Sequence, residues 1–303
     1  MLFRECRPQG AGVERAQLSA SEYLERAFRS IREAVKNAEA GNLKAVVVFG
    51  SAVRPEDFVI GLSDIDVLAI TGKEPSRPVW SFTVFESDVE VTGMQVEDLK
   101  RCFELGVPLA LMLYREGVAL EDDGTFASIV AERPSVTERT FAILRGSVFA
   151  ALGLAFEAYL QGNYRKSVSH AYHAARHLAR HRALKRASEA CAFPLSDREV
   201  KEASAGALRD LFAKLVDLRR LEVAKGDCRE ALEKAVEVIA SELGLKAPSL
   251  SYLESNVRGE VVTAVAMEVG GSVVIRVEAL TPDGPRRLEV GAGSAREIRS
   301  LFE

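Results

Sequence analysis

The amino-acid sequence predicts an α+β protein built from three parts, and three observations lead to this class. Residues 1–130 contain short apolar runs rich in valine and isoleucine, separated by turns and helical patterns. Residues 135–247 are dominated by alanine, leucine, arginine and glutamate, which is typical of a helical bundle. Residues 255–303 contain short β-branched runs with glycine and proline turns, which predict a small β-rich unit.

The first predicted element is a helix. Ser19 and Ser21 are candidate N-caps, and apolar residues follow them at helical spacing. The pair Gly41-Asn42 closes this helix after about Ala40.

Strands are predicted next, over residues 44–49, 65–70 and 79–92. Gly50-Ser51 forms a turn directly after the first of them. Because side chains alternate along a strand, the third strand would carry Glu86, Asp88 and Glu90 on one side.

The remaining elements follow from the same patterns. A short helix is predicted over 96–104, and the helical region runs from 135 to about 243. Residues 246–256 are predicted to be a linker. The C-terminal unit is predicted to contain three strands and a closing helix, over 259–269, 272–280, 287–290 and Ala295–Phe302.

Composition and cysteine usage narrow the class of protein. The chain is 48% hydrophobic and 28% charged, as in ordinary globular proteins, and its net charge of -4 is too small to indicate a partner. The four cysteines show no CxxC spacing, which argues against a zinc site or a disulfide framework. The N-terminus lacks the apolar segment of a secretory signal, and the longest apolar runs are shorter than the ~18 residues of a membrane span. We therefore expect a cytoplasmic protein with no membrane partner.

Asp66 interrupts the apolar strand over 65–70, and Asp64 directly precedes that strand. Asp64 and Asp66 are two residues apart, so their side chains point the same way. Burying even one unpaired carboxylate costs several kcal/mol, and two on one face also repel each other. A divalent cation between them removes both costs, and hard oxygen ligands suit Mg²⁺.

A third carboxylate and a phosphate-binding turn would complete such a site. Glu90 on the neighbouring acidic strand is the candidate, with Asp88 on the same face as the alternative. At Gly50-Ser51, glycine lets the backbone approach a phosphate, while free N–H groups and the hydroxyl can hold it. Together these residues predict metal-assisted phosphoryl transfer by two ions.

The stretch FGSAVRPEDFVIGLSDIDVLAI resembles the signature of the polymerase-β-type nucleotidyltransferase superfamily. That signature is hG[GS], seven to thirteen residues, and then Dh[DE]h. Gly50, Ser51, Asp64 and Asp66 match it residue by residue. The GSxxR and SDID forms found in minimal nucleotidyltransferases are matched by Arg54 and Ser63.

This resemblance covers roughly residues 20–130 and implies a mixed sheet with flanking helices. It also implies two Mg²⁺ ions and a bound NTP, with ATP the expected one. Asp64 and Asp66 would bind both ions, and the third carboxylate would activate an acceptor hydroxyl. The family usually has aspartate at that third position, so Glu90 is a departure. The acceptor stays open between a small molecule, a protein and an RNA, and a homodimer is one option for the assembly.

All four histidines fall in one predicted helix within residues 163–188. They lie within an arc of about 80° on it, and the segment also holds seven basic and no acidic residues. One interpretation is a cationic face for a triphosphate or an RNA backbone. Its residues would be His170, His173, Arg176, His177, Arg180 and His181. The alternatives are a solvated basic face and a histidine metal site.

The helical segment resembles the domain that follows minimal nucleotidyltransferases in kanamycin-nucleotidyltransferase-like and HEPN proteins. Arg165, His170 and Tyr172 fit the R-x4-H-x-Y motif of HEPN ribonuclease toxins, and Arg176 and His181 fit the shorter R-x4-H. This match implies an alternative function. The chain would be a toxin–antitoxin-like regulatory protein whose helical domain binds or cleaves RNA, with a regulatory or degenerate nucleotidyltransferase domain.

Overall fold

The computed structural model describes residues 19–301 and confirms the predicted α+β class. The N-terminal part contains, in chain order, α1 (Ala20–Ala38), β1 (Leu43–Phe49), β2 (Ile65–Thr71), β3 (Val79–Val84), β4 (Ser87–Gln95), α2 (Val96–Leu105), α3 (Pro108–Glu116), β5 (Val118–Asp122) and α4 (Thr125–Val130). The helical part contains α5 (Glu138–Leu160), α6 (Tyr164–Ala187), α7 (Asp197–Ala203), α8 (Gly206–Leu218), α9 (Lys225–Leu243) and α10 (Leu250–Asn256). The C-terminal sheet contains β6 (Glu260–Val269), β7 (Ser272–Thr281), β8 (Gly284–Gly291) and β9 (Ser294–Glu297). The predicted lack of a secretory signal concerns residues outside the described range.

The N-terminal sheet is mixed, with strand order β3-β4-β2-β1-β5. Only β2 and β4 run parallel, and the other neighbours are antiparallel. Alternate residues of β1 and β2 face opposite sides, and both sides are covered, so the inner residues Ala45–Phe49 and Val67–Ile70 are all apolar and buried. Val46 and Val48 pack with α1 on one face, whereas Val47 and Leu68 pack with α2, α3 and α4 on the other. The acidic residue Asp66, the second residue of β2, is only partly buried.

The helix α1 begins at the predicted Ser19 cap. The Ser19 hydroxyl accepts a hydrogen bond from the Glu22 N–H at 3.3 Å, and the Glu22 carboxylate accepts the Ser19 N–H at 3.0 Å. This reciprocal capping box satisfies N–H groups that the first helical turn leaves free.

The strand predicted over 79–92 is instead a hairpin of β3 and β4. Its turn lies at Phe85-Glu86, where Phe85 has a φ of 56°. Glu86 therefore lies in the turn, while Asp88 and Glu90 remain on one face of β4. The prediction failed because no glycine, proline, asparagine or aspartate marks this turn.

The helix α6 is the centre of the helical part, and α5, α8 and α9 pack around it. Its Tyr172 and Leu178 are completely buried. By length and composition α5 could cross a membrane, but half of its most apolar window is buried within the protein. It packs against α6 and β6 as a core helix.

The C-terminal sheet has strand order β6-β7-β8-β9 and shares one apolar core with the helical part. Gly153 of α5 lies directly against β6, since a Cβ there would be 2.8 Å from the Ala266 backbone nitrogen. The predicted closing helix Ala295–Phe302 is wrong over its described residues, because β9 pairs with β8. The predicted linker contains α10. Pairing with β8 overrides a weak local preference in β9. The helix α10 instead begins at a local cap, where the Ser249 hydroxyl accepts the Tyr252 N–H at 3.1 Å.

Candidate active site

Asp66 and Glu90 are direct neighbours across the N-terminal sheet. They are paired in register on the parallel strands β2 and β4. Paired residues on adjacent strands project to the same face, so the two carboxylates lie side by side. Asp64 immediately precedes β2 and is close enough to raise the pKa of Asp66. We call these three residues the carboxylate cluster.

The turn at Gly50 touches the carboxylate cluster. A short 3₁₀ helix, Gly50–Val53, follows β1, and Gly50 has a φ of +76°. A Cβ at Gly50 would lie 2.7 Å from Oδ2 of Asp66. Glycine is therefore required twice here, for its backbone conformation and for its contact with the carboxylate.

The carboxylate cluster concentrates negative charge in a partly buried place. Burial and the nearby charges of Asp64 and Glu90 raise the pKa of Asp66 to about 7. Burial, Asp88 and Glu90 also raise the pKa of Asp64. Such repulsion between neighbouring carboxylates is relieved by a cation or a proton.

Within residues 19–301, no group of three or more His, Cys, Asp or Glu side chains is arranged to hold a metal ion. A Mg²⁺ ion at the carboxylate cluster would therefore need substrate oxygens and water among its ligands. Mg²⁺ is typically bound through one or two carboxylates, with phosphate oxygens and water completing its octahedron. Asp64 and Asp66 would supply this pair of carboxylates.

We expect the charge on Asp66 to make the metal-free protein less stable as the pH rises from about 4 to about 7. In this pH window the Asp66 carboxyl keeps its proton in the folded protein. In the unfolded chain, where its pKa is near 3.8, it has lost that proton, so rising pH favours unfolding. The difference in melting temperature between the wild type and Asp66→Asn, measured against pH, isolates this contribution. Mg²⁺ should remove most of the decline. A difference that does not change with pH would contradict the raised pKa.

Arg54 is held by two carboxylates in this structure. Its guanidinium pairs with Asp57 at 2.8 Å and with Glu116 at the end of α3. The other oxygen of Glu116 accepts the Gly50 N–H at 3.2 Å. Two predicted phosphate contacts, the Gly50 N–H and Arg54, are thus engaged by Glu116. The hydroxyl of Ser51 makes no hydrogen bond within the part of the chain that the structure describes.

A cleft of about 340 Å³ separates the N-terminal part from α6. Its lining residues are Gly61, Leu62, Ser63, Asp64, Glu86, Ser87, Asp88, Lys166, Ser169, His170 and His173. The Ser63 hydroxyl accepts the Val59 N–H at 3.0 Å and lies 3.4 Å from Nη2 of Arg219. The C-terminal sheet contributes none of these lining residues. The second wall of the cleft is α6.

The predicted polyanion face of α6 is not one exposed surface. Arg176, Arg180 and His181 are buried. Arg176 donates to the Leu195 carbonyl and to the Tyr172 hydroxyl, and Arg180 donates to the Pro194 carbonyl at 3.0 Å.

Only part of the histidine stripe reaches the cleft. The ring of His181 packs edge-on against Phe141, with centroids 5.6 Å apart. Burial, with Arg180 and Arg176 nearby, lowers the pKa of His177 to about 3. His170 and His173 line the cleft instead.

The residues of the R-x4-H-x-Y match do not form one open group. Tyr172 is completely buried and hydrogen-bonds to Asp197. Arg165 lies 3.9 Å from Glu222, beside a different depression of the surface from the one His170 lines. This arrangement gives no support to the RNA-cleaving alternative.

A buried polar network holds the two walls of the cleft together. Asp57 accepts the Arg54 guanidinium and also the Asp197 backbone N–H at 3.1 Å. The Arg219 guanidinium lies 4.2 Å from the centroid of the Tyr172 ring. Sequence reasoning missed Asp57, Glu116, Asp197 and Arg219, because each acts through a partner that is distant in the chain or has no motif.

The chain is similar to the crystal structure of a nucleotidyltransferase-like protein from Exiguobacterium sibiricum 255-15. The sequence identity is 16%, the TM-score is 0.30, and the alignment covers 79% of this chain and 82% of that one. No family model and no curated protein matches the chain.

Proposed function

We propose that this protein is a magnesium-dependent nucleotidyltransferase that transfers a nucleoside monophosphate from an NTP to a hydroxyl acceptor. One observation carries the proposal: the Asp66 carboxylate lies against the Gly50 turn, with Glu90 beside it in register. A glycine turn that approaches phosphate and a carboxylate cluster that binds Mg²⁺ are the two requirements of this chemistry.

Each residue of the proposed site has its own role in the transfer. The Ser51 hydroxyl binds a phosphate oxygen of the NTP, while Asp64 and Asp66 provide the Mg²⁺ ligands. Mg²⁺ bound there would neutralise the charge that develops on the α-phosphate and on the leaving pyrophosphate. Glu90 accepts the proton of the acceptor hydroxyl, because its position beside Asp66 suits a base next to the reacting phosphorus.

The transfer is an in-line displacement. The acceptor oxygen forms a bond to the α-phosphorus, and the bond from that phosphorus to the bridging oxygen breaks. Pyrophosphate leaves with the electron pair of that bond. The protein contributes positioning and electrostatics, since no covalent intermediate is needed.

Calorimetric titration with non-hydrolysable analogues of the four NTPs, ATP first, tests the proposal. We expect binding that depends on Mg²⁺ and is abolished by Asp64→Ala. Nucleotide binding that is equally tight without Mg²⁺, or that is unchanged in Asp64→Ala, would contradict the proposal.

The two candidates for the third carboxylate can be separated by isosteric variants. Glu90→Gln should lower turnover by about 100-fold or more, because proton transfer by a positioned base contributes roughly that much. Asp88→Asn should lower it much less, since the Asp88 carboxylate accepts the Thr83 hydroxyl at 3.1 Å and does not lie opposite Asp66. Initial rates of pyrophosphate release measure both. The reverse order of effects would assign the role to Asp88.

A further inference from the structure

The cleft has a second wall of different chemistry from the carboxylate cluster. Lys166, Ser169, His170 and His173 of α6 face Asp64 and Asp88 across it. Ser51, the proposed phosphate contact, and Gly50 beside it are not among its lining residues. Asp64 borders the cleft, so a molecule in the cleft lies next to the reacting centre without occupying the triphosphate position.

Lys166 forms no ion pair within residues 19–301. It has no carboxylate within 4 Å among residues 19–301, although it is near enough to Asp64 to lower the pKa of that group. The neighbouring cations are all engaged. Arg54 pairs with Asp57 and Glu116, and Arg176, Arg180 and Arg219 are buried against carbonyls, rings and hydroxyls.

Two residues with hydrogen-bonding side chains line the cleft together with Lys166. Ser169 is a buried serine, and His170 follows it in the chain. Burial and the charge of Lys166 lower the pKa of His170, so its neutral ring offers one donor and one acceptor nitrogen. An ammonium, a hydroxyl and an imidazole together match the three acceptor oxygens of a phosphate group.

The surroundings favour a small molecule over an RNA. Beyond Lys166, the exposed basic residues of α6 are largely paired: Arg182 binds Glu242 at 2.9 Å, and Arg186 donates to the Ala203 carbonyl. An extended row of free cations for a nucleic-acid backbone is therefore missing on α6. The volume of about 340 Å³ lies in the range of small-molecule pockets.

We propose that this cleft is the acceptor pocket and that its occupant is a small hydroxyl compound carrying a phosphomonoester. The phosphate lies on the α6 side, bound by Lys166 and Ser169, because Glu86 and Asp88 repel it from the other wall. The hydroxyl then points towards Asp64 and the carboxylate cluster. This assignment rests on the proposed nucleotidyltransferase function.

The test is calorimetric titration of two phosphomonoesters, ribose 5-phosphate and phenyl phosphate, against ribose and phenol. The protein is titrated with Mg²⁺ and a non-hydrolysable ATP analogue, and again without nucleotide. At least one phosphomonoester should bind about tenfold or more tightly than its parent alcohol, which is the size of one charge-assisted contact. Lys166→Ala should remove the difference and leave nucleotide affinity within about twofold.

Lys185→Ala is the matched control, because Lys185 is an exposed lysine of the same helix outside the cleft. It should change neither affinity. The assignment of the acceptor pocket would be overturned if each ester bound only as tightly as its parent alcohol. It would also be overturned if Lys166→Ala lost nucleotide binding. Binding of a short single-stranded RNA that is tighter than either ester and depends on Lys166 would also overturn it. If the protein bound an ester through Lys166 but bound no nucleotide, the result would contradict the nucleotidyltransferase function and leave the phosphate site in place.

Discussion

The variant Asp66→Asn is expected to lower the turnover of nucleotide transfer by roughly 1,000-fold or more. Several kcal/mol of transition-state stabilisation depend on the bound metal, and each 1.36 kcal/mol is about a tenfold change in rate. Asparagine keeps the shape of the side chain beside Gly50 but removes its charge. The measurement is the initial rate of pyrophosphate release at saturating NTP.

The same variant should be more stable than the wild type without metal. At pH 8, removal of the repelled and partly buried carboxylate should raise the free energy of unfolding by up to about 4 kcal/mol. Asp98→Asn, an exposed aspartate in the first turn of α2, is the control and should change neither quantity substantially. Near-wild-type turnover in Asp66→Asn would remove Asp66 from the metal site. A less stable metal-free variant would show that its charge is already compensated.

The variant Gly50→Ala is expected to impair both folding stability and nucleotide binding. The positive φ costs alanine about 1 kcal/mol, and the new Cβ would also meet Oδ2 of Asp66 at 2.7 Å. We expect a total loss of about 3 kcal/mol in the free energy of unfolding, within the range of mutations that overpack a site. Affinity for the magnesium–nucleotide complex should fall by about 100-fold, because Asp66 must move.

Gly41→Ala is the control that separates backbone strain from the collision. Gly41 has nearly the same φ, +78°, but no atom lies within 4 Å of the place that a Cβ would occupy there. It should lose about 1 kcal/mol of stability and keep its nucleotide affinity. Equal effects of the two substitutions on nucleotide affinity would mean that the Gly50 contact with Asp66 has no functional role. Chemical denaturation and calorimetry provide the two measurements.

The carboxylate cluster could be predicted because its signals are local. The spacing of Gly50, Asp64 and Asp66 is contained in one stretch of sequence, and strand alternation puts Glu90 and Asp88 on a shared face. The choice between Glu90 and Asp88 needed strand register, which a single sequence does not contain. The register places Glu90 opposite Asp66.

The residues around the carboxylate cluster could not be predicted, because they make contacts with residues distant in the sequence. Glu116 ends an apolar helix and reaches Gly50, 66 residues earlier in the chain. The basic pattern of α6 suggested an exposed face, but Arg176 and Arg180 find their partners in the carbonyls of the segment before α7. Long arginine side chains can be buried when such acceptors satisfy them, so charge alone was a poor guide to exposure.

The position of a metal ion next to a bound nucleotide tests the proposed magnesium site most directly. Anomalous X-ray scattering from Mn²⁺, in crystals grown with a non-hydrolysable ATP analogue, locates that ion. We expect an anomalous peak between Asp64 and Asp66, with the triphosphate at the turn that begins at Gly50. Nucleotide density elsewhere on the protein, with no Mn²⁺ at these two carboxylates, would contradict it.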